Sequence, residues 1–167
     1  MRKLYSVLFV LSILFTVPAR ADEVQKGSLA QNAAVIDKET ANLKVSIGGI
    51  NGKKGEIGIA LYENKKGYPL HFQYTYEALW IPLEGGKNTI EAAFEALPPG
   101  EYAVSVLHDE NGNRKMDRNS LGFPREGVGF SNDQKVVFGS PSFEKSKFPL
   151  SAGESKEAAI TLDYRKE

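Results

Sequence analysis

The chain has no cysteine among its 167 residues. That excludes disulfides, thiolate metal sites and a lipid-bearing cysteine behind an export signal. Stability must come from a buried core or a bound ion, and a chain of this length can bury a sizeable core as one domain. Histidine is nearly as scarce: His71 and His108 stand 37 residues apart with no partner at ligand spacing, so zinc is not expected. Net charge is absent too, with 21 basic residues against 21 acidic ones. Setting aside Arg2, Lys3 and Arg20 of the N-terminal segment leaves 18 against 21, which argues against nucleic acid as a partner. No H-E-x-x-H, phosphate loop or G-x-S-x-G elbow occurs, Ser131 standing in Gly129-Phe130-Ser131-Asn132.

Long apolar runs are missing except at the start. Arg2 and Lys3 precede the run Leu4 to Val17, which ends at Pro18-Ala19-Arg20-Ala21. A span needs roughly 20 apolar residues, so this run is too short for one. Basic start, apolar middle and A-x-A end are the pattern of a secretory signal peptide, residues 1–21, of bacterial type. The expected location is periplasmic or secreted, with no membrane span after cleavage. Residues 22–41 are polar and without a clean period, and read as a flexible lead-in to a domain over 42–167.

What is present is alternation. Leu43, Val45 and Ile47 alternate with Lys44, Ser46 and Gly48, and Ile57, Ile59 and Leu61 with Gly58, Ala60 and Tyr62. Further on, Ile90, Ala92 and Phe94 share a face, as do Tyr102, Val104 and Val106, and Ala158, Ile160, Leu162 and Tyr164. Residues 135–139 form another short apolar run. A period of two means strands. Asn51-Gly52 and Pro98-Pro99-Gly100 supply turns. The expected fold is all-β: an antiparallel sandwich of about seven strands, immunoglobulin-like or prealbumin-like, with one long ordered loop. Two connections exceed a hairpin. One runs from Glu63 to Ala78 and on to Trp80; the other covers the 25 residues Asp109 to Asp133. Loops of that length are usually functional or disordered, and Met116, Leu121, Phe123 and Phe130 make the second too apolar to leave in water.

Asp109, Asn111, Asn113 and Asp117 are spaced two, two and four apart. Short oxygen-bearing side chains at that spacing point inward on a curling chain and can surround calcium, which takes six to eight oxygens. Lys115 would add a backbone carbonyl, and Glu126 is the nearest carboxylate for the remaining place. Two departures stand out: Arg114 occupies the usual glycine position and Ser120 that of the bidentate glutamate. With few carboxylates, binding in the range of about 10⁻⁴–10⁻³ M is expected. The alternative is that the four residues only cap turns through side-chain to backbone hydrogen bonds.

His108 continues the face of Tyr102, Val104 and Val106, a place where packing is commoner than catalysis. No catalytic residues are selected; a hydrolase of envelope glycans or peptides using His108 and Glu126 remains an alternative. The aromatic segment Tyr62, Tyr68, Phe72, Tyr74, Tyr76 and Trp80 is either a core edge or a stacking surface for a sugar or protein.

Several motifs together resemble one family. They are His108-Asp109-Glu110-Asn111-Gly112-Asn113, Asp117, the run Gly122 to Asn132 reading GFPREGVGFSN, and Pro141-Ser142-Phe143. Leu97-Pro98-Pro99-Gly100-Glu101-Tyr102 and Gly67-Tyr68-Pro69 fit as well. The chain resembles domain-of-unknown-function family 2141, small exported bacterial proteins, over roughly residues 43–164, departing from it at Arg114. The resemblance implies no activity. The Pro-Pro-Gly-x-Tyr strand before an Asp/Asn-rich loop is similar to prealbumin-like and carboxypeptidase-regulatory-like sandwiches, mostly binding or structural modules. The expectation is a monomeric, non-enzymatic binding or structural module with an envelope or extracellular ligand, its loop folded around calcium or by its own turns; a further alternative is a purely structural module that binds another protein through sheet edges or the Tyr68–Trp80 region.

Overall fold

The computed structural model describes residues 39–52, 54–136 and 139–164. The expected signal peptide and most of the lead-in lie outside the described residues.

Eight strands form two sheets. The smaller sheet has β4 (Ile90–Leu97), β1 (Ala41–Gly48) and β8 (Ser155–Thr161) in that order. The larger has the order β3 (Glu77–Pro82), β2 (Glu56–Tyr62), β5 (Gly100–Asp109) and β6 (Gly127–Phe130), with β7 (Phe148–Leu150) paired to the start of β5. Alternation dictates which faces meet. Leu43, Val45 and Ile47 of β1 are fully buried, as are Ile57, Ile59 and Leu61 of β2, and all join Val104 and Val106 of β5 in one core. Each buried aliphatic side chain of this kind contributes about 1.5–3 kcal/mol. The expected all-β sandwich is therefore present, with one strand more than expected. It is not wholly antiparallel: β1 and β8 run parallel, Val45 beside Ala158.

Strand β2 is buried on both faces. Its outer face, Ala60 and Tyr62, is covered by Phe143 of the short helix α1 (Phe143–Ser146) and by Tyr68 and Phe72 from the connection before β3. Tyr102 Oη donates to the Pro98 carbonyl at 2.8 Å. This bond pins the Pro-Pro-Gly turn to the strand it opens, as a tyrosine corner does in other sandwiches.

Both long connections are shorter than expected. The first contains a 3-10 turn, Phe72–Tyr74, and then strand β3, which carries Trp80. The second contains β6, whose residues Gly127–Phe130 pair with His108 to Ser105, and a 3-10 turn at Ser131–Asp133. The loop proper is 110–126. Of the apolar run at 135–139, residues 135, 136 and 139 are not strand and 137–138 lie outside the described residues. No helix among the described residues is long and apolar enough to cross a membrane.

Candidate functional site

The loop begins where β5 ends, so the sheet sets its origin. Asp109 is fully buried there, beside Gly55, where an added Cβ would lie 2.0 Å from the Asp109 carbonyl oxygen. Its carboxylate turns onto the following backbone. Oδ1 accepts from the N–H groups of Gly112 at 2.8 Å and Asn113 at 3.2 Å, and Oδ2 accepts from the N–H of Arg114. Asn111 Oδ1 accepts from Asn113 N at 3.0 Å, and Asn113 Oδ1 from Lys115 N at 2.8 Å. The amide groups of both asparagines then donate to Asp117, Asn111 Nδ2 to Oδ2 at 2.6 Å and Asn113 Nδ2 to Oδ1 at 3.2 Å. The four side chains whose spacing suggests calcium thus converge in one turn.

Glu126 reaches the same turn from beneath. It is 4 % exposed, and its two oxygens accept from Glu110 N at 3.1 Å and Asp117 N at 3.0 Å. It clamps the two ends of the turn. Burial pushes its carboxyl above the usual carboxylate range; the two N–H donors pull it back, and the charges of Asp109 and Asp117 push it up again. Among the described residues no three histidine, cysteine, aspartate or glutamate side chains are grouped as metal ligands. A metal here would draw on the side-chain oxygens of Asn111 and Asn113. Such a mixed carboxylate and amide set suits calcium, a hard cation with oxygen ligands.

Arg114 explains how this turn does without the usual glycine. Its φ is +55°, in the left-handed region, while Gly112 at +74° takes a second left-handed position. A non-glycine residue there costs roughly 1–2 kcal/mol. Arg114 gains contacts in return: Nε donates to Glu56 Oε1 at 2.9 Å, and the guanidinium lies 5.3 Å from the Trp80 ring centre. The Glu56 bond raises the guanidinium pKa further.

His108 is fully buried with both nitrogens engaged. Nε2 lies 2.8 Å from the Lys54 carbonyl, which can only accept, so Nε2 carries a proton. Nδ1 is 2.7 Å from Tyr164 Oη, and Asn51 N donates to the same phenol oxygen at 3.0 Å. His108 and Glu126 thus spend their polar atoms on holding backbone and the C-terminal segment.

The segment GFPREGVGFSN resolves into packing roles. Of its three glycines, Gly122 has a positive φ, +83°. Gly127 and Gly129 act by size instead. A Cβ on Gly127 would lie 2.4 Å from the Tyr164 ring, and one on Gly129 2.6 Å from Ile160 Cγ2. Ser131 is fully buried; its Oγ accepts from Val104 N at 2.9 Å and donates to the Ser146 carbonyl at 2.7 Å. Asn132, at φ +57°, donates from Nδ2 to the carbonyls of Lys145 and Lys147. This segment fastens α1 to the larger sheet.

The aromatic segment divides. Tyr62 is in the core, Tyr68 meets it edge-on at 5.1 Å, and Phe72 stacks on Trp80 at 4.8 Å. Tyr74 and Tyr76 are exposed.

A fold of this kind with an Asp/Asn turn and the GFPREGVGFSN fastening defines a small β-sandwich module carrying one structured loop. The chain belongs to the bacterial family described as "uncharacterized protein conserved in bacteria" (DUF2141), whose model matches residues 45–158. No curated protein and no solved structure matches it.

Proposed function

We propose that this chain is an exported, non-catalytic binding module whose turn Asp109–Asp117 takes a calcium ion. The observation that carries the reading is the gathering of Asp109, Asn111, Asn113 and Asp117 in one turn; an ion there would replace the two amide N–H bonds to Asp117 and draw the asparagine oxygens inward. Asp109, Asn111, Asn113 and Asp117 would supply side-chain oxygens and Lys115 its carbonyl. Glu126, with both oxygens on backbone N–H groups, supports the turn. The ion would neutralise the carboxylates gathered at this turn.

A loop held only by its own hydrogen bonds is the competing reading. It is favoured by Asp109, whose two oxygens already take three N–H groups. A crystal structure grown with calcium separates the two. The metal reading expects an ion at about 2.3–2.6 Å from oxygens of Asp109 and Asp117. Ordinary water at that place, with the hydrogen bonds above intact, supports the self-held loop.

A further inference from the structure

The structured loop and the aromatic segment, more than 40 residues apart in sequence, come together around an open groove of about 530 Å³. Its floor is the half-buried, apolar Leu70, Phe72 and Met116, and its rim is Arg114, Lys115 and Arg118. No acidic residue lines it. Three cations on one groove are unexpected where 18 basic residues face 21 acidic ones over residues 22–167. Arg114 is partly satisfied by Glu56, and one Arg118 nitrogen donates to the Gly122 carbonyl. The Lys115 ammonium makes no ion pair among the described residues.

A merely solvated basic face has no need of a concave apolar floor. Here both walls are also held in place. Asp109 and Asn113 cap the N–H groups of Arg114 and Lys115, and Thr75 Oγ1 donates to the Phe72 carbonyl at 2.8 Å. Such preorganisation lowers the ordering cost of binding. Exposed His71 and Gln73 at the lip offer hydrogen-bonding groups that can match hydroxyls. Cations for an oxyanion, a flat apolar floor for a ring face and polar groups for hydroxyls together describe one ligand chemistry. We infer that this groove binds an acidic glycan, a uronate residue lying on Phe72 and Met116 with its carboxylate between Lys115 and Arg118.

The chain's one tryptophan, Trp80, stacks beneath Phe72 and under Arg114, so its fluorescence reports occupancy. The test titrates oligogalacturonate into the full chain with chelator present throughout, which makes the outcome independent of the calcium reading. Saturable change is expected at about 0.01 M salt, where the Debye length is about 30 Å, and weakening at about 1 M, where it is about 3 Å. Lys115→Gln with Arg118→Gln is expected to weaken binding about tenfold while melting as wild type does. A neutral glucan is expected to give no change. No saturable response at low salt, or undiminished binding by the double variant, overturns the site. Should that variant fail to fold, wild-type binding that ignores salt overturns it as well. Equal binding of poly-glutamate, which has the charge but no sugar ring, overturns the glycan assignment.

Discussion

Asp109 caps the turn and, in the proposed calcium site, would also hold the ion, two jobs that a single substitution would confuse. Its carboxylate caps three N–H groups of the turn before any ion arrives, so Asp109→Ala is a folding lesion first. Charge-assisted hydrogen bonds are worth about 1.5–3 kcal/mol each and do not add fully. Urea unfolding in chelator is expected to show a loss of about 3 kcal/mol for Asp109→Ala. A loss near zero would mean the capping bonds are not formed in solution. Gly127 makes an opposite kind of residue prediction, since what matters is the absence of a side chain. Gly127→Ala presses a methyl onto the Tyr164 ring and is expected to cost about 1–3 kcal/mol, the range for overpacking. In a Tyr164→Ala background the same change should cost little. Equal costs in both backgrounds would point away from packing as the reason for glycine.

Among the elements, Ser131 is the joint that most rewards a test. Its hydroxyl links β5 to α1 through Val104 and Ser146, wholly out of water. Ser131→Ala leaves the buried Val104 N–H unpaired and should lower stability by about 1–3 kcal/mol, read by denaturant unfolding with an unchanged slope. Little of this joint is legible in the sequence, because Ser131 and its partners are 15 and 27 residues apart. Strands β1, β2, β4, β5 and β8 are legible, since each alternates on at least one face. The partly exposed β3 hides its strand because Glu77–Pro82 has no alternation in burial to match. The glycine-rich β6 hides because Gly127 and Gly129 carry no side chain to show a face. Parallel pairing of β1 with β8 was not readable, as a period of two says nothing about partner or direction. At the site the Asp/Asn spacing brings four side chains into one turn, as both the metal and the turn-capping readings require. The place of Glu126 in backbone clamping depends on burial, and the groove depends on residues from two distant loops. Arg114 was the one available signal: a cation at a glycine position needs a partner, and Glu56 with Trp80 is it.

Across the whole molecule, phenols set an alkaline limit. Burial pushes Tyr62 up to about 12 from 10.0, and raises Tyr68 as well. Ser105 lies near Tyr62 and pulls its value partly back, yet the Ser105 proton goes to the Pro69 carbonyl at 2.7 Å. Neither Tyr62 Oη nor Tyr68 Oη ends with a well-formed hydrogen bond. Between pH 10 and about 12 the unfolded chain releases the Tyr62 proton while the folded chain keeps it. The folded state then binds more protons, so stability falls as pH rises through that window. Tyr62→Phe should flatten this fall without loss at neutral pH, because it removes an unpaired buried hydroxyl. A wild-type midpoint unchanged from pH 9 to pH 11 would contradict the burial argument. The proposed calcium site is best tested through Asp117, which accepts the asparagine amides but caps no backbone N–H. The decisive measurement is unfolding of wild type and Asp117→Asn in chelator and in about 10 mM calcium, roughly 100 times a dissociation constant of about 10⁻⁴ M. Wild type should gain about 2.7 kcal/mol and Asp117→Asn much less, from similar metal-free stabilities. Equal wild-type stability in calcium and in chelator would contradict the metal reading and leave the turn held by its own hydrogen bonds.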